Sequence, residues 1–231
     1  MIWVIIPAFN EEQALPKTLN ALFQQAGEFR VIVVDGGSTD RTYQLISADP
    51  RLCVLTSPKG RALQMNTGAA FVKKQDHSPN DWVMFLHADT ILPDGALSRL
   101  NNLEADASCQ AGGFMHQFSG NDWRLRLISW LDNFRCVRSR VIYGDQALFV
   151  RQSLFNCLGG FPEQQILEDI AFCEKLLHST TPILLTPSVI TDSRKFVRMG
   201  IWQSLARVLL IILHVEFGLP TLTPAFFQDI R

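Results

Sequence analysis

The residues best equipped for chemistry are carboxylates that follow short apolar runs. Trp82 to Leu86 is an uninterrupted apolar stretch bounded by Asn80-Asp81, and it delivers His87-Ala88-Asp89 to its far end. Such a run reads as a buried strand. In open α/β sheets ligands bind outside the carboxyl ends of the strands, so Asp89 is placed for a metal or a phosphate-bearing substrate. An Asp before a helical run also serves as an N-cap, and Asp89 alone does not separate the two roles. Arg30 to Val34 ends the same way, in Asp35-Gly36-Gly37-Ser38-Thr39-Asp40, and Glu168-Asp169 opens a later helix carrying Ile170, Phe172, Cys173, Leu176 and Leu177. Acids in a first helical turn also favour the macrodipole, which is the plain structural role for that pair.

The elements that would position these acids alternate. Ile2–Ile6 predicts a first strand, followed by the turn Pro7 to Glu12 and a helix with Pro16 in its first turn and Leu15, Leu19, Leu22, Phe23 and Ala26 on one face. Strand, helix from Thr42, strand at Leu52–Leu55, helix from Gly60 to Val72, and the strand before Asp89 complete about ninety residues. This alternation predicts right-handed crossovers and a mostly parallel sheet flanked by helices. Beyond Leu103 the pattern predicts a strand at Ala111–Phe118, a helix at Trp123–Leu131, a strand at Asp145–Val150 and one or two strands between Pro182 and Ile190. No Gly-x-Gly-x-x-Gly follows the first strand and no GxxxxGK[ST] occurs, so the dinucleotide fingerprint and the P-loop are absent.

The 231 residues carry 21 basic and 22 acidic side chains, a net charge of −1, which gives no basic face for nucleic acid. Five widely spaced cysteines without a CxxC pair suit a reducing compartment and suggest neither zinc nor redox chemistry. The N-terminal apolar run has no basic region before it and stops at Pro7, so it is expected to be a strand and not a signal peptide. Ile201–Leu219 is apolar but interrupted by Gln203, Arg207, His214 and Glu216. It is too short in clean run to cross a bilayer, and as an amphipathic helix it would pack on the domain, on a membrane surface or on a partner chain, a second copy included.

Taken in order, Pro7-Ala8-Phe9-Asn10-Glu11, Val34 to Asp40, Leu86-His87-Ala88-Asp89 and Glu168-Asp169 resemble the large inverting glycosyltransferase family with the GT-A fold. Gly112-Gly113-Phe114, Gly144-Asp145-Gln146, Gly159-Gly160-Phe161 and Ser193-Arg194-Lys195 are similar to its small single-domain bacterial members. The resemblance implies one domain over residues 1–200, with a nucleotide-binding half (1–103) and an acceptor half (104–200), and a C-terminal amphipathic helix and tail over 201–231. It implies transfer of a sugar, from a UDP-sugar by preference, to a hydroxyl on a small molecule, a lipid-linked acceptor or a glycan. By the same likeness Pro7, Ala8, Glu11, Asp35 and Ala88 line the nucleotide, with Lys59 and Arg61 touching base or phosphates. Asp35 would accept a uracil ring NH, which suits an acceptor-only group.

Asp89 matches the last acid of the family's Asp-x-Asp metal motif, whose first acid is here replaced by His87. One carboxylate suffices for Mn2+ or Mg2+ when diphosphate oxygens and water complete the shell. Asp169 matches the catalytic base, with Glu168 beside it. Asp145 and Gln146 fall on the acceptor side, and Ser193, Arg194 and Lys195 would form a lid. The Gln-x-x-Arg-Trp motif of processive synthases is missing and so is any transmembrane run, so a single-transfer enzyme is expected, cytoplasmic, with peripheral contact at the inner membrane face as the membrane alternative. Two other readings share the acids: a sugar-phosphate nucleotidyltransferase, which usually carries a Gly-rich basic loop where this chain has Pro-Ala-Phe-Asn-Glu, and a non-catalytic nucleotide-sugar binding or scaffold protein.

Overall fold

The computed structural model describes residues 1–75, 78–103, 108–164, 167–206 and 210, with Lys195 through its backbone alone. Among them, eight strands form one sheet: β1 (Ile2–Ala8), β2 (Phe29–Asp35), β3 (Leu52–Thr56), β4 (Trp82–Phe85), β5 (Thr90–Ile91), β6 (Ala111–Phe118), β7 (Phe149–Arg151) and β8 (Ile183–Thr191), in the order β3-β2-β1-β4-β7-β6-β8-β5. The helices are α1 (Leu15–Phe23), α2 (Thr42–Ser47), α3 (Arg61–Lys73), α4 (Ala96–Asn102), α5 (Trp123–Ser139), α6 (Gln152–Cys157), α7 (Glu168–Leu177) and α8 (Arg194–Met199).

The first four strands are parallel, as the alternation predicts; β7 then runs antiparallel to both β4 and β6, while β6 and β8 are parallel to each other. The two halves of the chain therefore share one sheet. β1 is buried over all seven residues, because α1 and α3 cover its opposite faces with Leu15, Leu19 and Leu22 on one side and Ala62, Met65 and Ala69 on the other. A second apolar group stacks Phe85, Phe155, Phe161 and Phe172, with ring centroids 4.8–5.6 Å apart.

Two expectations are corrected. The strand predicted over Asp145–Val150 is a 3-10 turn at Gly144–Gln146 followed by the short β7, because Ala147 takes a left-handed conformation (φ 49°) that breaks the extended run. The helix predicted to end at Leu131 continues to Ser139, because Asp132 and Arg135 pair at i,i+3 on its buried side and interrupt the apolar periodicity without ending the helix. The expected C-terminal helix is helical over 201–206 and at 210; the remainder of 201–231 lies outside the described residues. No helix among the described residues is long and apolar enough to cross a membrane.

At the end of β7, an interior strand, Arg151 is buried and donates to three carbonyls, Asn80 (2.7 Å), Leu103 (2.8 Å) and Cys109 (3.3 Å), with its guanidinium 3.7 Å from the Trp82 ring centroid. One side chain thus ties together the entry to β4, the end of α4 and the entry to β6. Arg151→Met keeps the volume and strands these carbonyls, so it is expected to lower unfolding stability by about 2–4 kcal/mol in urea titration. A loss under about 1 kcal/mol would show that water or neighbouring groups replace the guanidinium.

Candidate active site

The loops at the C-terminal ends of β1 and β2 are sewn together by their own side chains. Asn10 Oδ1 accepts from Thr39 N (2.8 Å), Asn10 N donates to Ser38 Oγ (3.0 Å), Glu11 N donates to Thr42 Oγ1 (2.8 Å), and Asp40 accepts from Glu12 N (3.2 Å) and Thr42 N (2.9 Å). Burial works against charge on Asp40, but the Thr42 and Glu12 hydrogen bonds outweigh it and hold its carboxyl below the usual range. Asp35, opposite Ala8 in register, accepts from Gly37 N (2.9 Å) and Ser38 N (3.0 Å) through one oxygen. Gly37 sits at φ 83°, a conformation a side chain would strain, so this turn needs glycine. The other Asp35 oxygen is buried with no hydrogen-bond partner.

A cavity of about 320 Å³ opens beside these loops, within the range of small-molecule sites. From the first half it is lined by Pro7, Phe9, Glu11, Lys59, Gly60, Arg61, Gln64, His87, Ala88 and Asp89. The second half contributes His116, Phe118, Ile128, Asp132, Tyr143, Gly144, Asp145, Leu167, Asp169, Ile170, Thr191 and Phe196. The turn that carries Asp89 is fixed from two sides: Thr18 Oγ1 donates to Ala88 O (2.8 Å), and Asp192 N donates to Asp89 O (2.9 Å) where β5 meets β8.

Asp169 lies in the first turn of α7. Its Oδ2 accepts from Gly144 N at 2.7 Å and its Oδ1 from Ile170 N at 2.9 Å. Gly144 is a point of close approach between the two halves: a Cβ there would lie 2.5 Å from His87 Nε2 and 3.4 Å from Asp169 Oδ2. His87 thus packs against the backbone that holds Asp169. Both acid-bearing turns adjoin left-handed non-glycine residues, Ala147 after Asp145 and Leu167 before Glu168, at a cost of about 1–3 kcal/mol each.

Of the residues singled out in the sequence, the structure brings Pro7, Glu11, Lys59, Arg61, Ala88, Asp89, Asp145 and Asp169 onto one cavity wall system. Ala8 stands behind it as the acceptor of a 2.8 Å bond from Gln64 Nε2. Glu168 is buried and forms an ion pair with Arg61 at 2.8 Å. Gln146 is buried and holds the turn, accepting from Tyr143 N (2.9 Å) and donating to Phe114 O (3.3 Å). Arg194 binds Asp192 (2.7 Å) and Gln13 (2.6 Å), while Ser193 N donates to Ser119 Oγ (3.0 Å). Neither lines the cavity; Phe196 of the same segment does.

Sequence reasoning missed Gln64, His116, Asp132 and Tyr143. Gln64 donates to both Ala8 O and Val34 O at 2.8 Å, bracing β1 against β2 at the site. His116 is buried on β6 with its Nε2 3.6 Å from Asp145 and its Nδ1 3.9 Å from Asp132, and neither nitrogen has a hydrogen-bond partner. Asp132 Oδ2, Asp145 Oδ1 and the Tyr143 hydroxyl are also buried without one. Nothing in the local pattern marks these residues, since a lone His in an apolar strand reads as core.

Among the described residues the lining carries five acids, Glu11, Asp89, Asp132, Asp145 and Asp169, against Lys59 and Arg61. Burial disfavours the Arg61 charge, yet Glu168, Asp169, Asp145 and Asp89 outweigh it and raise its pKa, so it stays protonated. Burial raises the Asp145 carboxyl to about 6; His116 opposes this, and Asp132 and Asp169 add to it. No group of three or more His, Cys, Asp or Glu side chains is placed to hold a metal among the described residues. A cation here would rest on Asp89 with oxygens from a ligand, a donor set that fits a hard divalent ion.

A mixed sheet with acids gathered at the ends of its parallel strands is the GT-A architecture, and solved structures share it. One is the Staphylococcus aureus TarS 1-349 crystal structure in complex with UDP-GlcNAc (TM-score 0.63, 20% identity, 84% of this chain and 58% of that one). Another is the mannosyltransferase PcManGT from Pyrobaculum calidifontis in complex with GDP-Man and Mn2+ (TM-score 0.68, 19% identity, 99% of this chain and 67% of that one). The family model of Glycosyl transferase family 2 matches residues 3–161, and the chain belongs to that family.

Relatives by sequence include a PGL/p-HBAD biosynthesis glycosyltransferase of Mycobacterium bovis, 28% identical over 178 residues, covering 70% of this chain and 63% of that protein. An undecaprenyl-phosphate 4-deoxy-4-formamido-L-arabinose transferase of Pseudomonas aeruginosa is 28% identical over 173 residues, covering 68% and 49%. The chain thus spans between about half and two thirds of the length of these relatives.

The raised Asp145 gives a pH prediction. Its folded pKa of about 6 exceeds the ordinary 3.8, so the folded protein holds this proton more tightly and stability falls as pH rises from about 4 to about 6. Asp145→Asn removes that loss and is expected to be the more stable protein at pH 7.5, by about 1–2 kcal/mol, kept modest because solvent reaches 28% of the side chain. Thermal melts at pH 4.5 and 7.5 would contradict this if the difference between variant and wild type did not grow with pH.

Proposed function

We propose that this protein transfers a sugar from a nucleoside-diphosphate sugar, a UDP-sugar by preference, to an acceptor hydroxyl with inversion at the anomeric carbon. One observation carries the reading: a single cavity combines Asp89, the base candidate Asp169, and a buried set of unsatisfied polar atoms on His116, Asp132, Asp145 and Tyr143. Buried polar atoms without partners are costly, and a ligand rich in hydroxyls is the chemistry that would satisfy them. Asp35 does not line the cavity, but it follows Val34, whose carbonyl is bound by Gln64 of that lining, and its unpartnered oxygen would suit the ring NH of uracil, with Pro7, Ala8, Glu11 and Ala88 around the nucleoside.

The excess of acids argues for a divalent cation. A diphosphate entering a lining of five carboxylates and two cationic side chains meets net repulsion, which Mn2+ or Mg2+ on Asp89 would reverse. Bound there, the ion supplies Lewis-acid stabilisation of the departing diphosphate. Arg61, held by buried Glu168, directs a second positive charge into the cleft, and Lys59, 4.1 Å from the Phe9 ring centroid, is within the same wall. In this reading Glu168 positions Arg61 and Asp169 alone takes the acceptor proton. Its carboxylate is oriented by Gly144 N and Ile170 N, which leave lone pairs for the hydroxyl. A single base with direct displacement inverts the centre, whereas retention needs a second carboxylate as nucleophile. Asp145 stands beside the acceptor, and Ser193, Arg194 and Lys195 close over the diphosphate as a lid.

Asp169→Asn is expected to bind donor within about threefold of wild type and to lose transfer by about 10²-fold or more, since an amide takes no proton. Near-normal turnover in that variant would remove Asp169 from the chemistry. A binding panel of uridine, thymidine and guanosine diphosphate sugars, read with and without Mn2+, identifies the donor. Asp89→Ala is expected to weaken the metal-dependent part of that binding about tenfold or more, and an unchanged Mn2+ response would refute the assignment. A nucleotidyltransferase would instead consume a nucleoside triphosphate and a sugar phosphate, and a scaffold would turn over nothing.

A further inference from the structure

We infer that the outer face of α5 is a docking surface for an anionic lipid bilayer. α5 has two unlike sides. Its inner side is buried through Leu125, Ser129 and Cys136 and lines the cavity with Ile128 and Asp132. Its outer side exposes Trp123 (62%), Leu127 (38%), Trp130 (60%), Phe134 (58%) and Val137 (47%). Their alternating spacing of four and three residues puts all five on one stripe. Trp202, exposed on the helical segment over 201–206, meets Trp123 edge-on at 6.1 Å between ring centroids and extends the stripe.

Scattered exposed apolar residues need no explanation, but a continuous ridge with three indole rings does. The remaining exposed positions of α5 are Arg126 and Arg138, and among the described residues of this helix no acidic side chain is exposed. Asp132 is buried against Arg135, and Asp122 at the N-cap is neutralised by Arg124 at 2.6 Å. Indole rings with arginines beside them and no acids match the boundary between acyl chains and anionic headgroups. A second copy of the chain fits less well: a two-fold pairing of this face would bring its arginines together with no exposed acid to offset them. The consequence for acceptors, which rests on the transfer reading above, is that the same helix would hold the cleft at headgroup level, where a lipid-borne hydroxyl or phosphate is presented.

The test uses the full chain and vesicles of phosphatidylcholine alone or with phosphatidylglycerol, read by flotation and by tryptophan emission. Wild type is expected to float with the phosphatidylglycerol vesicles, with a blue shift in emission and at least about tenfold preference over phosphatidylcholine. Trp130→Glu with Phe134→Glu should abolish flotation, and Arg126→Glu with Arg138→Glu should remove the preference for anionic lipid. Both double variants should keep donor binding, which shows that they are folded; if wild type binds vesicles but no donor, the docking surface stands and the transfer reading fails. Absence of wild-type flotation, or equal flotation of the Trp130/Phe134 variant, would overturn the inference. So would a wild-type dimer that this variant converts to monomer, which would assign the stripe to a second copy.

Discussion

The cleft depends on a close approach at Gly144. Its amide donates to Asp169 at 2.7 Å while its α-carbon leaves room for His87, which a Cβ would meet at 2.5 Å. That contact joins three segments distant in sequence: the turn after β4 that presents Asp89, the 3-10 turn before β7, and the first turn of α7. The sheet makes the approach possible, because β7 pairs antiparallel with β4 and brings the second half of the chain back over the ends of the first-half strands. The acids are then neighbours by topology and not by sequence.

Concentrating carboxylates in this way is costly, and the cost shapes the rest of the site. Asp145 is pushed up to about 6, Ala147 and Leu167 are left-handed without being glycine, and several buried polar atoms have no hydrogen-bond partner. Departures of this kind from local preference gather at functional sites, where a ligand supplies what the protein withholds. Arg61 offsets part of the charge and is held by Glu168, a residue whose burial removes it from the cavity wall. The neighbouring acids therefore divide the work: one anchors a cation, the other faces the cleft.

Much of the first half was legible in the sequence, because buried parallel strands are continuous apolar runs and the residues that follow them stand out. Asp89 and Asp35 could be placed at strand ends for that reason. The second half was harder. β5 is two residues long and leaves no periodic trace, and Ala147 breaks what reads as one strand from Asp145 to Val150. The end of α5 was hidden by Asp132 and Arg135, polar residues on an inward face that only tertiary pairing explains. His116 belongs with them: its two carboxylate neighbours lie 16 and 29 positions along the chain, so no local pattern announces it. Glu168 and Asp169 were readable as a pair, but which of them faces the cavity is set by the helical turn and by Arg61.

The most direct measurement of this account is donor affinity with Mn2+ together with transfer rate in Gly144→Ala. The added methyl must displace both the His87 turn and Asp169, so both quantities are predicted to fall together, while the melting transition stays cooperative. Wild-type affinity and rate in that variant would contradict the claim that one backbone contact holds the Asp89 turn and Asp169 in register.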